Sequence, residues 1–201
     1  MTNYWTTKIA ILIALETGMR PQEIQAVKWS QIVNDGNYKV FCINDSWSGK
    51  EKHFNGHLKS RSRGDFRLTL PLSEPLLQLL NEFHHRQIEL LKEHDLENSN
   101  DLIVLNMTDY SLCSLGYPVT QRSMNDVLKN LCEKVDVNNQ ELNISMYTCR
   151  HTVATKLGNT PGMSYPWAAS RFGHSLKMFM RTYVHVDEDR NEEMLNLLAR
   201  E

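Results

Sequence analysis

Long apolar runs are missing from this sequence. The longest, Ile9 to Leu15, falls far short of the roughly 18 to 20 residues that span a bilayer. No membrane segment is expected, and the run reads as a buried helix. The opening residues, MTNYWTTK, lack the layout of a secretory signal, namely a basic end, an apolar stretch and a small-residue cleavage site. A cytoplasmic location is expected. Cysteine is sparse: Cys42, Cys113, Cys132 and Cys149 are widely spaced, with no pair at zinc-ligand separation. A disulfide framework is not expected at this size without secretion, so the four read as reduced thiols in or near a core. Internal repeats and low-complexity tracts are also missing.

A positive net charge is missing too. The net charge of -2 runs against the basic footprint usual in a nucleic-acid-binding domain. Distribution matters more than the sum. Acidic residues gather at the C-terminus (Asp187, Glu188, Asp189, Glu192, Glu193 and Glu201), and basic ones between Lys50 and Arg67 (Lys50, Lys52, Lys59, Arg61, Arg63 and Arg67). A local cationic surface can therefore hide inside a near-neutral total.

What is present is an ordinary globular composition on 201 residues, a length that fits one domain. Apolar residues at helical spacing mark a helix over Trp5 to Glu16, stopped at Thr17-Gly18. Pro21 suits the first turn of a second helix running to about Trp29. Asn34 to Asn37 is a turn signal. Tyr38 to Ile43 and Arg67 to Leu70 read as strands, with a hairpin region and a mobile tip in the polar run between them. Ser73 is placed to cap a long helix from Glu74 to His94, with Leu76, Leu80, Phe83, Ile88 and Leu91 among its apolar face. Ile103 to Tyr110 is ambiguous. Further helices are expected from Thr120 or Ser123 through Leu131, over Tyr147 to Leu157, over Pro166 to Phe172, and over Asp189 to Arg200. The balance is α+β, mainly helical with a small antiparallel sheet or hairpin. The pair His84-His85 reads as part of a solvated helix face rather than a metal site, because helix neighbours one apart point in different directions.

Three distant stretches hold unusual combinations. The first is Thr17-Gly18-Met19-Arg20-Pro21-Gln22-Glu23-Ile24, an arginine at a turn into a helix with a glutamate three residues on. By itself, Arg20 reads as a surface residue at a helix start. The second is Tyr147-Thr148-Cys149-Arg150-His151-Thr152-Val153-Ala154-Thr155. The third is Phe172-Gly173-His174-Ser175, with Tyr183 nine residues past the histidine. Two guanidinium groups can grip the non-bridging oxygens of a phosphodiester through paired, charge-assisted hydrogen bonds. Such preorganised charge often supplies the largest share of catalysis. A phenol, with a free pKa of about 10, is a poor nucleophile unless assisted.

In order and spacing, these stretches resemble the catalytic domain of the tyrosine recombinases, the phage-integrase family, over nearly the whole chain from Thr17 to Val186. The resemblance implies site-specific DNA recombination or integration, a breaking and rejoining of strands through a 3′-phosphotyrosyl intermediate. It requires neither metal nor nucleotide cofactor, since the phosphotyrosine ester stores the bond energy. Tyr183 is then the nucleophile, and Arg20, Arg150 and His174 contact the scissile phosphate. A lysine from a β-hairpin protonates the departing 5′ oxygen; Lys59 fits best, with Lys52 and Arg63 as alternatives. Family members usually carry histidine three residues before the second arginine, and this chain has Tyr147 there. A phenol can donate to a phosphate oxygen but is no near-neutral proton shuttle. Glu23 and His151 are expected to support the site rather than react.

The implied partner is double-stranded DNA, bound as a homo-tetramer, with a monomer or weak dimer in its absence and no membrane involved. A bacterial or phage-encoded protein is expected. Residues 1–201 read as a single catalytic domain lacking the family's N-terminal DNA clamp, and the stripe Met194, Leu195, Leu197 and Leu198 docks either on a neighbouring protomer or on its own domain. Tyr183 is expected near the C-terminal segment on a movable tether. Two other readings stay open: a topoisomerase of type IB, which the short spacing from His174 to Tyr183 disfavours, and a catalytically silent DNA-binding module.

Overall fold

The structure is a computed structural model describing residues 3–59, 62, 64–137, 143–184 and 195–196. The fold is α+β, mainly helical with small antiparallel sheets. Its contacts divide the chain into two compact units, Met1–Val153 and Ala154–Glu201. Among the described residues no helix is long and apolar enough to cross a membrane.

In the first unit, α1 (Asn3–Thr17) buries Ile9, Ala10, Ile13 and Ala14. It stops at Gly18, whose φ of 62° suits a residue without a Cβ. Pro21 opens α2 (Pro21–Ala26), which is shorter than its sequence pattern suggests. The backbone beyond Ala26 is taken up elsewhere: Val27 is extended and its carbonyl accepts from Ile103 N at 3.1 Å, and Lys28 bridges to Leu102. Tertiary pairing overrides helix propensity here. A 3-10 turn, Trp29–Gln31, leads into β1 (Ile32–Asp35), a strand that the sequence reading lacks. The expected turn with Gly36 at φ 60° then joins β1 to β2 (Tyr38–Ile43).

Strand β2 lies between β1 and β5 (Arg67–Leu68), all antiparallel, with Ile43 opposite Arg67. A separate two-stranded hairpin, β3 (Trp47–Ser48) with β4 (His53–Phe54), interrupts the connection. It is pinned by Trp47, whose ring meets Phe54 at 4.9 Å and Tyr117 at 5.1 Å. The hairpin therefore closes earlier than expected, with Lys50 and Lys52 in its turn. Of the expected mobile tip, Ser60, Arg61 and Arg63 lie outside the described residues.

Ser73 caps α3 (Glu74–Glu93), its hydroxyl accepting from Leu76 N. One expected face residue is corrected. Ile88 is 51% exposed, and polar Gln87 takes the buried position. The Gln87 amide earns that place through hydrogen bonds, accepting from Trp29 Nε1 at 2.8 Å and donating to Ile103 O at 3.2 Å. Of the expected solvated pair, His85 is exposed and His84 is half-buried, stacked on Trp29 at 4.1 Å, and burial pushes the His84 pKa down. The ambiguous segment is a buried, irregular connection, with Leu102 to Leu105 fully covered, followed by a short α4 (Tyr110–Ser114). Thr120 caps α5 (Gln121–Lys134). The helix α6 (Met146–Gly158) follows, and the division between units falls within it. The core gathers Ile9, Ile13, Phe41, Leu80, Phe83 and Met124. Cys113 and Cys149 are buried free thiols, and burial raises Cys149 to about 11.

In the second unit, α7 (Tyr165–Phe172) ends at Gly173 in the left-handed conformation. Ser175 then caps α8 (Leu176–Tyr183), a helix that the sequence reading does not anticipate. Phe172, Phe179 and Tyr183 form its buried aromatic centre. The expected helix over residues 189–200 lies outside the described residues except for Leu195 and Asn196, which are helical.

Candidate functional site

Arg20 occupies the position just before α2, with extended backbone at φ -69° and ψ 147°. That geometry turns its N–H and its side chain toward the first helical turn, where Glu23 waits. Glu23 Oε2 accepts from Arg20 N at 2.8 Å, and Oε1 accepts from Arg20 Nη1 at 2.9 Å. Arg67, reaching in from β5, donates from Nη2 to Oε2 at 2.6 Å. Arg150 from α6 is 3% exposed and donates from Nη1 to the carbonyl of Gly18 at 2.7 Å. The carbonyl is presented to Arg150 because the chain turns left-handed at Gly18.

Burial is the largest single influence on Glu23 and favours its neutral form. The charges of Arg67, Arg20 and Arg150, with the Arg20 N–H, together outweigh it and hold the carboxyl below the ordinary carboxylate range. Glu23 is thus an ionised, fully covered anchor, in keeping with a supporting part.

A cleft of about 370 Å³ opens beside this anchor, lined by Arg20, Gln22, Asn55, His57, Lys59 and Tyr147 among others. Tyr147 projects from the first turn of α6, and its hydroxyl donates to Gln22 Oε1 at 2.9 Å. Lys59 stands in the loop after β4 rather than on the hairpin itself. Its neighbour Leu58 is buried and anchors that loop in the core. Lys52, in the hairpin turn at φ 55°, is not among the residues lining the cleft. His151, one position past Arg150, is exposed and does not line it either. The first unit thus gathers Arg20, Glu23, Lys59 and Tyr147 around one cleft, with Arg150 held beside Glu23.

The second unit holds the remaining two candidates. His174 directly follows Gly173, and its N–H donates to Ala169 O at 3.0 Å. Its ring stacks on that of Tyr183, centroids 5.6 Å apart and planes 10° apart. Tyr183 is the last residue of α8 and is 3% exposed. Its carbonyl accepts from Asn159 Nδ2 at 2.8 Å. Tyr183 thus stands at a helix end with its side chain covered, because α8 presents Phe179 and Tyr183 to the same interior.

Arg67, Gln22, Asn55 and His57 are among the site residues that sequence reasoning missed. Arg67 was visible only as one of a basic run; nothing in the linear pattern pairs it with Glu23. Among the described residues no group of three or more His, Cys, Asp or Glu side chains is arranged to hold a metal ion.

The sequence profile of the phage integrase family matches residues 1–190. No curated protein matches the sequence. Among solved structures, the XerH site-specific recombinase bound to its difH substrate is similar, with a TM-score of 0.64 and 21% identity over 96% of this chain and 47% of that one. The Tn1549 transposon integrase in complex with transposon right end DNA has a TM-score of 0.64 and 19% identity over 95% and 58% of the two chains. The XerA recombinase has a TM-score of 0.59 and 18% identity over 96% and 58%. These identities speak to the fold alone, and the chain spans about half the length of these solved relatives.

Proposed function

Because the chain belongs to the phage integrase family, we propose that it recombines double-stranded DNA at specific sites by a metal-independent transesterification through Tyr183. The observation that carries this reading is the cleft in which Arg20, Lys59 and Tyr147 meet from three distant segments. A site lined by guanidinium, ammonium and phenol donors suits a phosphodiester. The DNA-bound XerH and Tn1549 structures make duplex DNA the natural substrate to test.

In the proposed reaction the phenolic oxygen of Tyr183 attacks the scissile phosphorus and its proton passes to water. The bond from phosphorus to the sugar 5′ oxygen breaks, and Lys59 gives that oxygen a proton. A 3′-phosphotyrosine and a free 5′ hydroxyl result. Attack by a 5′ hydroxyl from the partner strand reverses the step and releases Tyr183, so no external energy source is consumed. Arg20 and Arg150 stabilise the charge that grows on the non-bridging oxygens. His174 adds a donor to the same phosphate, and Tyr147 another through its hydroxyl. The active assembly is a homo-tetramer on DNA, in which the apolar stripe around Leu195 docks on a neighbouring protomer.

The test is covalent capture. The full chain is incubated with a pool of duplexes carrying a randomised core and a nick beside each candidate cleavage position, so that the released 5′ fragment diffuses away. An adduct that survives denaturant and forms equally in the presence of a chelator supports the reading. Lack of any adduct across the pool contradicts it.

A further inference from the structure

The two oxygens of Glu23 are divided between two arginines. Oε1 takes Arg20 Nη1, while Oε2 takes both the Arg20 N–H and Arg67 Nη2. The side chains of Arg67 and Glu23 are each 2% exposed, against 15% for Arg20. Arg67 does not line the cleft, so it is sealed from any ligand there. We propose that Arg67 is a positioning residue: by fixing the Glu23 carboxylate from behind, it aims the Arg20 guanidinium at the cleft and leaves the Arg20 charge available to an anion. This rests on reading Arg20 as a phosphate-gripping group.

The physical case is one of charge and geometry. A lone carboxylate buried this deeply would take up a proton. Without Arg67 less positive charge faces that carboxylate, which then takes up a proton more readily and releases Arg20. The charged groups facing Glu23 are Arg20 at the head of α2, Arg67 on β5 and Arg150 on α6, and the cleft adds Lys59 with the polar side chains of His57 and Tyr147. Two guanidinium groups therefore bond one carboxylate and the charge of a third lies close by, so positive charge exceeds negative around Glu23. Arg67 sits in the ladder opposite Ile43, so its backbone is as fixed as the sheet. The bond of 2.6 Å transmits that rigidity to Glu23, and Glu23 holds Arg20 at both backbone and side chain.

The test uses the full chain labelled with 15N-arginine. The readout is the guanidinium signals of Arg20, which separate when rotation is restrained by a carboxylate and merge when it is not. Restrained Arg20 signals are expected in the unaltered protein and in Arg67→Lys, and merged signals in Arg67→Met, with circular dichroism confirming that the variant is folded. In the unaltered protein the Arg20 signals should merge only at acid pH, where Glu23 takes up a proton, whereas in Arg67→Met they should already be merged at pH 7. Glu23→Gln should merge them at every pH. If Arg67→Met fails to fold, Arg67→Gln, which keeps a donor but no charge, takes its place with the same expectation of merged Arg20 signals. Arg20 signals that stay restrained in a folded Arg67→Met, or in Glu23→Gln, overturn the proposal.

Covalent capture on the nicked pool separates this from the functional reading. Capture should slow about a hundredfold in Arg67→Met through misplacement of Arg20, more at pH 6 than at pH 8, and recover in Arg67→Lys. If the unaltered chain forms no adduct yet Arg20 responds to Arg67, the recombination reading fails and the positioning stands. If adducts form but Arg20 is indifferent to Arg67, the positioning fails alone.

Discussion

The rings of His174 and Tyr183 lie nearly parallel, 10° apart in plane and 5.6 Å between centroids. The proposed nucleophile is therefore also a packing residue. Tyr183→Phe keeps the ring and its contacts with His174 and Phe179, so the second unit should stay within about 1 kcal/mol of its original stability. Tyr183→Ala removes a buried aromatic ring and should cost about 3 to 5 kcal/mol. Urea denaturation followed by near-ultraviolet dichroism measures both. A phenylalanine variant as unstable as the alanine one would show that the hydroxyl, rather than the ring, holds the packing.

Gly158 closes α6 against the end of α8. A Cβ there would meet the Tyr183 carbonyl oxygen at 2.8 Å. Alanine in a helix normally gains about 1 kcal/mol over glycine, but here the obstacle is backbone, and overpacking costs about 1 to 3 kcal/mol. Gly158→Ala should therefore destabilise the unit and lower covalent capture by displacing Tyr183. A thermal melt at or above that of the unaltered protein would show that the helix end yields freely.

Glu23 gives the first unit an acid limb. Its folded pKa lies below the unfolded value, which is about 4.3. Its contribution is thus fully present above that value and is lost as pH falls below it toward the folded pKa. Glu23→Gln strands the buried Arg67 and should cost about 3 to 5 kcal/mol at pH 7. The gap between the two proteins should narrow as pH falls from about 4.3. Urea midpoints from pH 7 to pH 3 test this; a gap that stays constant would mean that folding leaves the Glu23 pKa unchanged, and one that widens toward acid would mean that folding raises it.

Lys59 and Lys52 part company at the cleft, since only Lys59 lines it. Lys59→Ala should slow strand cleavage by about a hundredfold to ten-thousandfold, the usual reach of general acid catalysis. Replacing the 5′ bridging oxygen of the DNA with sulfur should restore the rate, because a thiolate leaves without a proton (a thiol pKa is about 8.5). Lys52→Ala should change little. Single-turnover rates on both substrates measure this, and the reverse ranking would reassign the proton donor.

Much of this was legible in the linear sequence, and the gaps have physical causes. The spacing of Arg20, Arg150, His174 and Tyr183 carried the family, and the caps Ser73 and Thr120 marked helices that form as expected. Strand β1 escaped because it pairs with β2 through a turn whose signal was read without its first arm. The early end of α2 escaped because Leu102 and Ile103, far along the chain, claim its backbone. The short α8 escaped because its eight residues, capped at Ser175, make only about two turns, too few for a clear helical period. Arg67 escaped for the same reason as Gln87: a buried polar side chain is justified only by partners that sequence proximity does not reveal.

The central claim is that Tyr183 itself becomes joined to DNA. Digesting the captured adduct with trypsin and nuclease, then sequencing the modified peptide by mass spectrometry, tests it directly. The account predicts a single modified peptide carrying a nucleotide phosphate on the Tyr183 oxygen, and none from Tyr183→Phe. A phosphate found on Tyr147 or on any other side chain, or an adduct that persists in Tyr183→Phe, would contradict it.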